Sequence, residues 1–180
     1  PDTPLFLYGH SMGGNLVLNY AARRRPQISG FIATGAWIRL PENPPALLLL
    51  LARFMSVIWS TFSQPNGIDT RKLSRDPEIV QTYDEDPLVH DRISARLATE
   101  LLDAARWLNQ FSGYLSAPAL IMHGSADQVT DPAGSAAFAE RLKSEVSLKL
   151  WEDLYHELHN EPEKEEVMRY TLNWVEEQLK

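Results

Sequence analysis

No cysteine occurs anywhere in the 180 residues. That excludes a disulfide framework, a thiolate metal site and a cysteine nucleophile, and it fits a reducing compartment, so a cytoplasmic location is expected. Positive charge is also scarce, since 17 Lys and Arg against 24 Asp and Glu leave a net charge of −7. Nucleic-acid backbones are bound by clustered cations, and no nucleic-acid partner is expected here. The densest basic run, Arg23-Arg24-Arg25, stands where a helix should end and there complements the helix dipole. No secretory signal is visible at the start. The chain opens on Pro1 rather than Met and runs at once into a strand-like segment, which leaves open a leader upstream. A membrane-crossing run is lacking too: the apolar stretch Ala46–Trp59 is short for a bilayer and carries Arg53 in its middle. It reads as a helix that is either buried or faces lipid. Internal repeats and low-complexity tracts are absent.

What is present is an ordinary globular composition, 44% hydrophobic and 23% charged, on the scale of one domain with a modest insertion. Leu5-Phe6-Leu7-Tyr8 is a continuous apolar run ending at Gly9, as in a strand buried on both faces. A helical pattern follows from about Gly13 to Arg25, closed by Pro26, and Ile28–Thr34 reads as a second strand. Strand, sharp turn, helix and strand make a βαβ unit, hence a parallel sheet. From about Trp37 to Gln110 clear strands disappear, and a helix from Ser94 to Phe111 carries Leu97, Leu101, Ala104, Leu108 and Phe111 on one face. The core pattern resumes with a strand at Ala119–Met122, a helix opened by Asp131-Pro132, a strand at Ser147–Trp151 and a helix over Pro162–Leu179. The expected division is therefore a discontinuous α/β core, 1–36 and 113–180, with a helical cap or lid at 37–112.

Gly9-His10-Ser11-Met12-Gly13 matches G-x-S-x-G, and it lies where a strand gives way to an amphipathic helix. That context identifies a nucleophile elbow, in which a strained turn lifts Ser11 to the top of the sheet. Side chains at Gly9 or Gly13 are expected to collide with neighbouring elements. The backbone N–H of Met12 is placed to donate to an oxyanion. Serine needs a base, and the base needs an orienting acid. In α/β-hydrolases the order along the chain is Ser, acid, His. Asp127 follows the strand that ends His123-Gly124, at the edge where active-site groups collect. Its rival, Asp131, is already suited to capping a helix. His156, in LYHELHNE, directly follows the last strand and takes the third place. Ser11, Asp127 and His156 are the expected catalytic residues.

GHSMGG, IDTRKLSRDPEIVQTYDEDPLV, PALIMHGSADQVTDPAGS and LYHELHNE together resemble the monoacylglycerol lipases, a group within the serine-hydrolase family also named for serine aminopeptidases. The resemblance runs over nearly the whole chain and is most specific in the insertion. It implies an α/β-hydrolase fold with a helical cap. It also implies hydrolysis of a glycerol ester bearing one acyl chain, with no metal or organic cofactor. By the same resemblance His159 and Tyr83 match positions near the glycerol end of the pocket, and the Leu-rich cap helix matches an element that touches membranes. A lysophospholipase or a broad carboxylesterase is the nearest alternative, and a non-catalytic fragment is the alternative of another class. Epoxide and haloalkane hydrolases place aspartate at the elbow, where this chain has Ser11. The family also has strands before the nucleophile strand, and a loop among them supplies the second oxyanion donor. Neither is found in these residues, so only the C-terminal strands of the sheet are expected, with Leu5–Tyr8 as an exposed apolar edge.

Overall fold

The computed structural model describes residues 3–180. The opening unit is β1 (Phe6–His10), α1 (Met12–Arg24) and β2 (Gly30–Thr34). The chain leaves α1 through Arg25 in a left-handed conformation, φ 48°, with Arg23 and Arg24 in the last turn. The remaining core elements are β5 (Ala119–Gly124), α5 (Pro132–Arg141), β6 (Val146–Trp151) and α6 (Lys164–Glu177). The four strands form one parallel sheet in the order β1-β2-β5-β6.

Burial follows from that order. Every residue of β2 and β5 is buried, as two inner strands covered on both faces require. Alternate side chains supply two cores. Ala33 and Ile121 pack with Leu18, Leu108 and Phe138 on one face, and Ile32, Leu120 and Met122 pack with Leu158 and Trp174 on the other. β1 is an edge strand. Tyr8 is 51% exposed, and Leu16 and Tyr20 on α1 are exposed beside it, so this strand is covered on one side only.

Between β2 and β5 the chain forms α2 (Ala46–Ile58), β3 (Ser63–Pro65), α3 (Pro77–Glu85), β4 (Arg92–Ser94) and α4 (Ala95–Gln110). The expectation of a strandless insertion is corrected here, because β3 and β4 pair antiparallel. Three-residue strands are too short to show a period of two, and their pairing joins segments far apart in sequence. Helix starts follow local chemistry: Asp76, Ser94 and Asp131 each accept a hydrogen bond from the first turn of α3, α4 and α5. Leu101, Ala105 and Leu108 of α4 are buried, whereas α2 buries no residue fully. No helix among the described residues is long and apolar enough to cross a membrane.

Candidate active site

In a parallel sheet all carboxyl ends lie on one edge, and the register aligns His10 with Thr34 and Thr34 with Met122. The residues that follow these ends therefore meet. Ser11 sits between β1 and α1 with φ 54° and ψ −115°, a strained conformation held by hydrogen bonds from its N–H to Thr34 O (2.9 Å) and from Trp37 N–H to its carbonyl (3.1 Å). A Cβ on Gly9 would lie 2.2 Å from Gly13 O, and one on Gly14 would lie 2.8 Å from Ala36 Cβ. The expected collision at Gly13 does not occur: a Cβ there meets nothing within 4 Å. Met12 is the first residue of α1, where backbone N–H groups have no partner within the helix.

Asp127 and His156 are brought together by close backbone approach. Gly124 ends β5, and a Cβ on it would lie 2.2 Å from the carbonyl oxygens of both Leu154 and Tyr155. Only glycine lets the loop after β6 pass so near. His156, 2% exposed, then places Nδ1 2.7 Å from Asp127 Oδ2. A carboxylate can only accept, so Nδ1 carries the proton and Nε2 is left with a free lone pair. Among the described residues the Ser11 hydroxyl has no hydrogen-bond partner. The structure thus joins Asp127 to His156 directly, and no hydrogen bond links His156 to Ser11 among the described residues.

Asp127 has a second histidine. Nε2 of His123, fully buried, lies 2.9 Å from the same Oδ2, and its Nδ1 lies 2.7 Å from Ser135 Oγ. By the same logic His123 donates through Nε2 and accepts from Ser135. Asp127 Oδ1 accepts from the backbone N–H groups of Val129 (2.7 Å) and Thr130 (3.0 Å), and the Thr130 hydroxyl lies 2.9 Å from Oδ2. Burial pushes the Asp127 carboxyl up, but the hydrogen bonds from His123 and His156 outweigh it and hold it well below the usual carboxylate range. Sequence reasoning gave His123 no role beyond a strand end. The i,i+4 spacing of His123 and Asp127 was the available signal.

His10 and His159 complete a cluster of rings. His10 lies 4.7 Å from His156 and 4.9 Å from His159 between centroids, and its Nδ1 lies 3.0 Å from Thr34 Oγ1. Burial chiefly, then the charges of His156 and His159, push the His10 imidazole down to about 3. Burial likewise lowers His159, whose Nδ1 is buried without a hydrogen-bond partner among the described residues. Tyr83, on α3, is half-buried in a cleft with Ile68, Asp84 and His90, and it does not line the cavity that holds Ser11. Asp131 caps α5 and pairs with Arg39 at 2.5 Å, far from either role in the His156 pair.

Ser11 and Met12 open into a cavity of about 600 Å³ whose walls include Trp37, Leu40, Ile68, Ile93, Leu97, Leu101 and Val129. Asp69, Lys72 and Arg92 also reach its wall; Asp69 pairs with Arg71, and neither Lys72 nor Arg92 forms an ion pair among the described residues. The insertion closes over the His156 loop through Arg75, whose guanidinium binds Glu161 and Glu163 and whose N–H lies 2.7 Å from Glu161 Oε1. Leu73 O accepts from Glu157 N–H at 2.8 Å, and Ser74 Oγ donates to Asn160 O at 2.9 Å. Among the described residues no group of three or more His, Cys, Asp or Glu is arranged around a metal position.

Residues 1–163 match the model of a family described as serine aminopeptidase, S33. The chain is 33% identical over 177 residues to the monoacylglycerol lipase of Mycolicibacterium smegmatis, covering 97% of this chain and 63% of that protein. It is 33% identical over 184 residues to the monoglyceride lipase of Rattus norvegicus, covering 99% of this chain and 60% of that protein. The crystal structure of the monoacylglycerol lipase of Paleococcus ferrophilus superposes with a TM-score of 0.92 at 34% identity, over 97% of this chain and 69% of that one. The chain thus spans about three fifths of the length of the curated lipases it matches. With the elbow, the parallel sheet and the family model in agreement, the chain belongs to the S33 family of α/β-hydrolases, close to the monoacylglycerol lipases.

Proposed function

We propose that the whole protein is a serine ester hydrolase that cleaves monoacylglycerols or similar single-chain lipid esters. The observation that carries this reading is the buried 2.7 Å bond between His156 Nδ1 and Asp127 Oδ2 beside a serine elbow that opens on an apolar cavity. Residues 37–112 act as the cap and 1–36 with 113–180 as the core. His156, oriented by Asp127, takes the Ser11 proton as Oγ attacks the ester carbonyl. The Met12 N–H donates to the oxyanion, with a second donor from outside these residues. Collapse expels glycerol, which takes the proton from His156 and leaves an acyl-enzyme. Water, deprotonated by His156, then releases the fatty acid and restores Ser11. His159 contacts the glycerol end, and Tyr83 approaches it through the neighbouring cleft. Helix α2 exposes Leu47, Leu50, Phe54 and Val57 and supports peripheral contact with membranes.

One feature of the cavity favours a second substrate class. Lys72 and Arg92 bring positive charge onto its wall, where the one carboxylate, Asp69, is already paired with Arg71, and this suits the phosphate of a lysophospholipid. The deciding experiment measures kcat/KM of the full-length protein on monoacylglycerols, lysophospholipids and short aryl esters. Ser11→Ala is expected to abolish turnover on all of them with the fold retained, and a fluorophosphonate should label Ser11. Near-normal turnover in that variant, or labelling elsewhere, refutes the nucleophile.

A further inference from the structure

A second cleft lies between the loop after β2 and the helices α2 and α4. It holds about 170 Å³, and three arginines line it, Arg39, Arg53 and Arg106, with Asn43 and Asn109. No carboxylate is on its lining. The arginines are held from outside the lining. Arg39 Nε lies 2.5 Å from Asp131 Oδ2, Arg53 Nη2 lies 2.6 Å from Asp103 Oδ1, and Arg106 Nη1 lies 3.3 Å from that same oxygen. Each guanidinium spends one nitrogen on its anchor and keeps the others for a ligand. Three cations against two carboxylates leave this spot positive in a molecule whose net charge is −7.

We infer that this cleft binds a phosphate group. A tetrahedral phosphate offers several acceptor oxygens in different directions, which the forks of several arginines can satisfy together, whereas a planar carboxylate is filled by one or two. The source we assign is the headgroup of an anionic phospholipid. Leu49 lines the cleft, and the helix that carries Arg53 exposes Leu47 at 78% and Leu50 at 66%. A headgroup in the cleft therefore leaves its acyl chains beside an apolar surface rather than in water. Trp37 and Leu40 line both this cleft and the Ser11 cavity, so an occupied cleft turns the mouth of the cavity toward the lipid layer. The site is independent of the chemistry at Ser11, and its test reads binding rather than turnover.

The test uses the full-length protein and vesicles of phosphatidylcholine with and without phosphatidylglycerol. Phosphatidylglycerol is expected to raise binding, and Arg39→Gln, Arg53→Gln and Arg106→Gln each to remove about fivefold of that gain. Arg71→Gln, on a fully exposed arginine, is expected to leave it unchanged, and Ser11→Ala to bind as the parent does. A measurement on the unmodified protein guards against misfolded variants: the side-chain Nε–H resonances of Arg39, Arg53 and Arg106 are followed during titration with inorganic phosphate and with a short-chain phosphatidylglycerol. Selective shifts with the lipid confirm the assigned source. Selective shifts with inorganic phosphate, and vesicles that do not discriminate, keep the phosphate site but make free phosphate its ligand. Shifts spread over the surface cations, or a vesicle gain that survives all three substitutions, overturn the site.

Discussion

Asp127 carries two histidines on a single oxygen, and one of them, His156, lies 4.7 Å from the ring of His10 in the serine elbow. His123 shares the negative charge on Oδ2 with His156, the histidine proposed as the base. His123→Leu is expected to lower kcat, since loss of one charge-assisted bond to Oδ2 is worth about 1.5–3 kcal/mol, roughly ten- to hundredfold. His123→Gln, whose amide nitrogen can reach the same oxygen, should restore the rate. A rate loss with no recovery in the Gln variant would mean that His123 only fills space. His159 separates by substrate instead. If it meets glycerol, His159→Ala costs monoacylglycerol hydrolysis about 1–3 kcal/mol and spares an aryl ester that has no glycerol. Equal harm to both substrates would assign it to support of the His10 ring.

Two elements far apart in sequence meet over the His156 loop, and Arg75 ties them through two ion pairs. Glu161 is fully buried and Arg75, from the segment before α3, is its cation. The guanidinium is held above its usual range by Glu161 first and Glu163 second. Arg75→Met leaves a carboxylate buried without its partner and is expected to cost about 3–5 kcal/mol in urea unfolding. The pair Arg75→Met with Glu161→Leu removes both charges and should recover most of that loss. A single variant as stable as the parent would show that the clamp contributes nothing. The same scale shows what patterning can and cannot reveal. Asp131-Pro132 announces α5 because a cap and its first turn are contiguous. The β3–β4 pairing was not legible, since the strands are three residues each and exist only through one another.

Across the whole molecule, folding must hold the half-buried His10 as a neutral imidazole. Its folded value is depressed to about 3, below the ordinary 6.5, so the unfolded chain binds the extra proton between those values. Stability is then full above about 6.5 and falls as pH drops toward 3, by up to about 1.4 kcal/mol per pH unit from this group. His159, also lowered, adds to the slope in the upper part of the window. The depressed Asp127 carboxyl withdraws its stabilisation only at more acidic pH, once the unfolded carboxylate range of about 4 is passed. Denaturant midpoints of the full-length protein between pH 7 and 4 should decline with acid, and His10→Asn should flatten that decline. An equal slope in both proteins would show that His10 does not titrate on unfolding.

The elbow at Ser11 with its close-packed Gly9, the cap of α5 at Asp131 and the apolar runs of the inner strands could be read from the sequence. Each depends on neighbours within a few residues, where chain geometry leaves little choice. Other features required the fold. The approach of Leu154 and Tyr155 to Gly124, the bond from Thr130 to Gly35 across 95 positions and the shared grip of His123 and His156 on Asp127 join remote segments. So do the tight contact at Gly14 rather than Gly13, the separation of Tyr83 from the Ser11 cavity and the convergence of three arginines on one cleft. No local period encodes such meetings. They arise when a parallel sheet gathers the carboxyl ends of its strands on one edge and the insertion folds back over them.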